Sequence, residues 1–388
     1  MQSSSDKIST SKSKREKIGT YDDNDITFLL SPLSETEIQQ LYKDPAEKER
    51  LIQQGIAHYS QMLTQERKPD ERYLSIFEQA LARFGKRMGH DIAYIAVELD
   101  KRITGPITLL SLVRAGAPIG VLLHRALKVL GRESNHYGVS IIRDKGIDIN
   151  AMKYVLQQHS ACSVLFVDGW TGKGAISNEL ETSMAEHPEF GVEPRMITLA
   201  DPAGRAWLSA SSEDWLIPSG ILGSTVSGLI SRSVLRKNYE QSSEYHATAQ
   251  LHELKDYDLS RRFVDTIHQY VFDALPGIAG QASGQETDIE SREIDMAVQA
   301  NHVIANIADE FRIENMNRIK PGIAEATRAV LRRLPDRVIV SSAEDDDLAA
   351  LVHLARQAGV SIEERGLDIL PYRAITIIAH RGNSGDQN

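Results

Sequence analysis

The sequence predicts an α/β protein whose main body is a parallel sheet with helical extensions, followed by a small separate α/β module. Three observations predict it. The runs ITLLSLV (107–113), YGVSIIR (137–143), SVLFV (163–167) and RMITLAD (195–201) are apolar almost throughout, the texture of strands buried on both faces. Helical periodicity separates them. In IGVLLHRALKVLG, residues Ile119, Leu122, Leu123, Ala126, Leu127 and Leu130 share one face and Gly131 stops the helix; segments 148–159 and 175–186 read as helices too. Strands alternating with helices require a parallel sheet covered on both sides. Beyond residue 313 the alternation restarts, with helix 321–334, strand RVIVSS, helix 346–358 and strands VSIEER and RAITIIAH.

The flanking segments follow from composition. Residues 1–20 are polar, rich in Ser and Lys and aperiodic, and are expected to be a disordered arm. Order is expected from YDDNDITFLL, and residues 33–90 read as helices, with Ser34 and Glu37 forming a capping box. Residues 21–235 then form the parallel-sheet domain. A helical segment, 236–312, contains the linker PGIAGQASGQET (276–287), chosen on its Gly, Pro and Gln content. The last module spans 313–380, and 381–388 is a tail.

A chain of 388 residues exceeds one comfortable core, so two or three domains are expected. The net charge of -10, from 44 basic and 54 acidic residues, argues against a protein that coats nucleic acid generally and leaves room for a local basic face. No apolar run approaches the ~20 residues that span a bilayer, and the N-terminus lacks a secretory apolar core; a cytoplasmic protein is expected. A single cysteine, Cys162, excludes an internal disulfide framework and a cysteine-built zinc site. Oligomeric state stays open, a homodimer included.

In an open parallel sheet, ligands bind beyond the carboxyl ends of the strands. Two loops rich in small residues leave such ends: VRAGAPIG (113–120) and DGWTGKGA (168–175). Glycines let backbone amides approach a phosphate, and Asp168 sits where a carboxylate can meet sugar hydroxyls or a magnesium ion. Arg143, Asp144 and Lys145 end the second strand, and Asp201 and Arg205 follow the fourth, on the same edge. Solvated loops are the alternative reading of these residues. A P-loop fails on spacing, because Val167 and Gly174 stand where a glycine and a hydroxyl are required around Lys173. A dinucleotide fold fails because no GxGxxG follows the first strand.

VLFVDGWTGKGA resembles the signature of the type I phosphoribosyltransferases, and VRAGAPIG resembles their pyrophosphate loop. More narrowly, with YDDNDITFLL, IIRDKGID and IPSGILGSTVSGLISRSVL, the chain resembles the phosphoribosyltransferase-like proteins of bacterial tellurium-resistance gene clusters. Those proteins are often labelled StiP-type cysteine proteases and carry a C-terminal Pelota-like RNA-binding domain. The resemblance implies a magnesium-dependent enzyme that uses phosphoribosyl pyrophosphate, or a related phosphosugar or nucleotide, to make a nucleoside-like product. It puts Asp168 on the ribose, and Thr171, Gly172, Lys173 and Gly174 around the 5′-phosphate. Arg114, Ala115 and Gly116 fall on the pyrophosphate with magnesium, and Arg143 or Lys145 supplies charge to the leaving group. The second acid of the usual pair is here Gly169, followed by Trp170, which either stacks on a base or packs. SGILGSTVSGLISRS (219–233) is expected to be a lid or second-substrate surface through Ser219, Gly220, Ser224, Thr225, Ser227 and Arg232.

Two other functions stay in view. One is a non-catalytic nucleotide- or RNA-binding regulator. The other is a thiol protease with Cys162 as nucleophile, which needs a histidine within reach and local positive charge. His159 lies three residues earlier. Yet Cys162 precedes the strand that ends at Asp168, roughly 20 Å from that loop at the usual rise of a strand.

RIKPGIAEATRAVLRR opens the last module. Its Gly322, Glu325 and Arg328 resemble the Pelota and kink-turn-binding pattern, which implies a structured RNA as partner, with Lys320, Arg328, Arg332 and Arg333 as a basic face. Ala324 stands where that pattern has asparagine. A solvated, partner-docking helix is the alternative.

Overall fold

The computed structural model describes residues 17–280 and 289–380, with the backbone alone for 289–294. Residues 1–16 of the expected arm, most of the expected linker and the tail 381–388 lie outside the described residues.

The body is a six-stranded, wholly parallel sheet. Its strands are β1 (Thr27–Phe28), β2 (Ile107–Leu112), β3 (Ser134–Val139), β4 (Val164–Val167), β5 (Met196–Ala200) and β6 (Leu208–Ser211), in the order β1-β3-β2-β4-β5-β6. Every residue of β2 is buried, and successive side chains serve two cores. Leu109, Leu165, Val167 and Ile197 join the core under helices α1 (Glu71–Arg102) and α2 (Gly116–Val129). Leu110, Leu112, Val164 and Phe166 join the opposite one, with Met152, Leu180 and Met184. That period of two with both faces covered is why the runs look uniformly apolar.

The capping box forms as expected, Glu37 Oε2 accepting from Ser34 N at 2.8 Å. YGVSIIR is not one strand. β3 starts three residues earlier, and Ile141–Ile142 turns away to pair antiparallel with Gly146–Ile147, because Ile141 and Ile147 bury in the second core. Helix α3 (Ala175–Glu186) matches its expected span.

Helix α4 (Ser260–Ala279) runs through Pro276 into the expected linker. Burial of Leu275 and Ile278 in the first core holds that last turn. α4 lies on α1 so closely that a Cβ built at Gly89 would fall 2.4 Å from Tyr270 Cβ.

The C-terminal module has a four-stranded sheet of β7 (Ile319–Pro321), β8 (Pro335–Val340), β9 (Ser361–Glu364) and β10 (Ala374–Ile378), ordered β7-β10-β8-β9. β10 is antiparallel to β7 and β8, and β8 is parallel to β9. Helices α5 (Ile323–Arg332) and α6 (Ala349–Gln357) cover it. The short edge strand β7 has no sequence signal, since it is three residues ending in proline. The module is also less separate than its sequence implies: Ile323, Ala326, Val330 and Leu351 enter the same core as α1 and Ile221. No helix among the described residues is long and apolar enough to cross a membrane.

Candidate ligand-binding cleft

A cleft of about 450 Å³ opens where the carboxyl ends of β2 and β4 face α5, lined among others by Glu66, Arg114, Asp168, Trp170, Arg232 and Arg328. The two glycine-containing loops meet there as the sequence predicts. A Cβ on Gly116 would lie 2.0 Å from the Val167 carbonyl oxygen, and one on Gly169 would lie 3.5 Å from Ala115. Gly116 is thus required for α2 to begin against the end of β4.

Asp168 accepts a hydrogen bond from Gly169 N at 2.8 Å. Burial lifts its carboxyl to about 7, against the opposing pull of the Gly169 amide and Arg328. The rest of that loop is tied into the fold. Thr171 is buried, its hydroxyl donating to Asp201 Oδ1. The Lys173 ammonium donates to the Met316 carbonyl, and Gly172 O accepts from the Tyr372 hydroxyl at 3.0 Å. Gly174, at φ +77°, starts α3. Thr171, Gly172, Lys173 and Gly174 line the cleft, and the loop also clasps the C-terminal module. Asp201 also accepts from the amides of Arg205 and Ala206 at 2.7 Å, so it folds its own turn. Neither Asp201 nor Arg205 lines the cleft.

Guanidinium groups make the cleft distinctive. Arg114 is buried, donating to the Ile230 carbonyl at 2.7 Å and lying 2.6 Å from Glu66. Arg232 donates to the Met62 carbonyl at 2.9 Å and stacks over Tyr59, with 4.9 Å to the ring centre. Arg143 stacks on the same ring at 5.3 Å. Arg328 lies over Trp170 at 4.6 Å, so the indole packs against a cation. Burial depresses Arg114 and Arg232 to about 10 and Arg328 to about 9. Lys48, buried and surrounded by Arg232, Arg333 and Arg332, is pushed down to about 6, burial being the main cause. Arg114 Nη2, Arg143 Nε, Arg232 Nε and both Nε and Nη2 of Arg328 are buried without a hydrogen-bond partner.

Several expectations are corrected. Lys145 is exposed and does not line the cleft, because the 141–147 hairpin carries it outward. The 219–233 segment is not a lid. Ser219, Gly220, Ser224, Thr225 and Ser227 are buried, Ser227 Oγ donating to the Gly223 carbonyl at 3.0 Å and Ser224 Oγ to Glu66 at 2.7 Å. Small hydroxyl residues serve here as a close-packed wall whose polar atoms are largely bonded within the fold. The basic face of the last module is turned inward. Lys320 pairs with Glu325 at 3.3 Å and Arg333 with Glu49 at 2.7 Å. Gly322, at φ +87°, opens α5, but Asp214 of the body accepts from Ile323 N at 2.9 Å and covers that helix start. The end expected to meet RNA is closed by protein.

Lys48 and Glu66 are missed by sequence reading. The charged run QERKPDER around Glu66 is the signal that could have marked it. Among the described residues no group of three or more His, Cys, Asp or Glu could hold a metal ion; Asp168 has Arg328 and Glu325 as its charged neighbours.

Cys162 is exposed at the opposite, amino end of β4, its Sγ 3.2 Å from Ser160 Oγ. The His159 Nε2 shares a 2.8 Å hydrogen bond with the Tyr137 hydroxyl rather than with the thiol.

Residues 19–268 match the family described as tellurite-like stress resistance cysteine protease StiP, and 298–380 match the PELOTA RNA binding domain. The chain is 44% identical over 373 residues to "Cysteine protease StiP" of Acinetobacter baylyi, covering 94% of each. The chain belongs to the StiP family. The family is named for an enzyme, a cysteine protease. That name overturns phosphoribosyl transfer as the leading function expected from the loop resemblance. Two solved structures of Trypanosoma cruzi hypoxanthine phosphoribosyltransferase, one in complex with the product IMP, overlap 33% of this StiP-family chain at 16% identity. They are themselves covered to 77% and 66%, with TM-scores of 0.25 and 0.24.

Proposed function

We propose that the cleft binds a phosphate-bearing ligand of nucleotide size, gripped by the parallel-sheet body and the C-terminal module together. The buried guanidinium nitrogens left without partners on four cleft arginines carry this reading. Buried polar groups are almost always paired, and a buried donor without a hydrogen-bond partner is costly. Several such donors on residues that line one cavity support a site for a multiply charged anion. The Trp170–Arg328 stack supplies a flat surface for a ring. Isothermal titration with a panel of 5′-nucleotides and their nucleosides tests it. Nucleotides are expected to bind and nucleosides not, with affinity falling as salt rises. Arg328→Ala is expected to weaken nucleotide binding at least about 10-fold, the worth of a charged hydrogen bond. Equal binding of nucleosides, or indifference to Arg328→Ala, would refute the reading.

A second reading rests on the family name and on Cys162. The thiol is exposed and is the only one in the chain. The Arg195 guanidinium donates to its carbonyl at 2.6 Å. Cleavage of a peptide library is expected to disappear in Cys162→Ala while nucleotide binding persists, since the two features sit at opposite ends of β4. Cleavage that survives the substitution rules Cys162 out as nucleophile.

A further inference from the structure

We propose that Glu66 is a built-in occupant of the cleft's anion subsite, a carboxylate held where a phosphate group of the ligand binds and displaced when that ligand arrives. This rests on the cleft being an anion site.

Four donors from three separate segments converge on this side chain. Glu66 Oε1 lies 2.6 Å from Arg114 Nη1 and 3.6 Å from Arg332 Nη2. Oε2 accepts from the Ser224 hydroxyl at 2.7 Å and from Ser224 N at 3.3 Å. The tightness of the cradle is visible at Gly223. A Cβ built there would meet Arg332 Nη2 at 2.7 Å, Glu66 Oε2 at 3.0 Å and Arg114 Nη2 at 3.3 Å. Two guanidinium groups, a hydroxyl and a backbone amide are the donor set that holds a phosphate group.

A carboxylate does not use all of it. Arg114 is only 5% exposed, and its Nη2 has no partner. Two oxygens leave that donor unsatisfied, whereas a phosphate group brings a further oxygen to reach it. The fit of Glu66 is electrostatic all the same. Burial alone would raise its carboxyl, but Arg114, Arg332 and Ser224 hold it down at about 2, so it is a carboxylate near neutral pH.

The segment that carries Glu66 is built to leave. Residues 64–70 have no helix or strand, between the bridge at Leu63 and the cap of α1 at Asp70. Residues 64–69 make no backbone–backbone hydrogen bond among the described residues. Moving this stretch therefore breaks side-chain contacts and no ladder. Without an internal counter-ion, Arg114 and Arg332 would repel each other in the empty cleft; with one, the incoming anion must compete.

The test is titration of wild type and Glu66→Gln with inorganic pyrophosphate in metal-free buffer, after circular dichroism has shown both folded. Glu66→Gln is expected to bind pyrophosphate at least about 10-fold more tightly, because the competing charge is gone while the shape is kept. Ser224→Ala added to Glu66→Gln is expected to reverse part of that gain. Wild-type binding with equal or weaker binding by Glu66→Gln overturns the displacement alone. Binding by neither protein overturns the anion site with it.

Discussion

Replacing Asp214 by alanine is expected to unlatch the C-terminal module from the parallel-sheet body. Asp214 is 7% exposed and belongs to the body, yet its carboxylate bonds to the module. Its carboxylate accepts from Ile323 N at 2.9 and 3.2 Å and from Arg373 N at 2.8 Å. α5 has no side-chain cap of its own, because its N-cap is Gly322; Asp214 supplies the cap from outside. Alanine leaves two buried amides unpaired, at about 1–3 kcal/mol each, so a loss of about 3 kcal/mol or more is expected. Asparagine keeps one acceptor oxygen and is expected to cost less. Urea denaturation reads this as a lower midpoint or as a split into two transitions, and limited proteolysis reads it as new cuts on either side of α5. An unchanged midpoint in Asp214→Ala would show that the Lys173 and Tyr372 clasps and the shared core suffice without it.

Asp168→Asn is expected to stabilise the protein, and more so as pH rises. The folded carboxyl is lifted to about 7 from 3.8, chiefly by burial. Between those values the folded chain holds a proton that the unfolded chain has released. The stabilising contribution of that proton is complete below about pH 4 and is lost as pH climbs through about 7. Above that, the ionised Asp168 costs at most about 4 kcal/mol, at 1.36 kcal/mol per unit, and solvent at this partly open rim reduces it. Asparagine avoids the charge. A gain of about 1–3 kcal/mol near pH 8, shrinking towards pH 5, is expected from denaturation at the two values. A variant less stable than wild type near pH 8 would show that the carboxylate is better satisfied than its neighbours indicate.

Much of this site was legible beforehand, and particular residues show where legibility stopped. Arg114 and Asp168 were correctly expected to share an edge, since strand ends and small-residue loops are local features. Cys162 was correctly expected far from them, because strand length follows from residue count. Of the two readings of the Gly-, Ser- and Thr-rich stretch 219–233, a lid or a second-substrate surface, burial removes the lid, while Ser224, Thr225 and Arg232 line the cleft. The composition of the stretch resembles a loop, but hydroxyls such as Ser224 and Ser227 find partners inside the fold and small side chains pack closely. Lys173 lines the cleft as expected, but nothing near it in the chain announces its bond to the Met316 carbonyl. Gly322 was expected to open towards RNA, and it is Asp214, distant in the chain, that closes it.

Residue order by itself determined the parallel sheet, the helices that cover it, the loops at its carboxyl edge and the presence of a second α/β module. Those features depend on periodicity and burial pattern, which neighbouring residues carry. Tertiary structure alone decided which charges meet: Glu66 with Arg114 and Arg332, Arg328 with Trp170, Asp214 with the start of α5. Charge pairing depends on distance through space and on exclusion of water, and neither is set until segments remote in the chain have packed together.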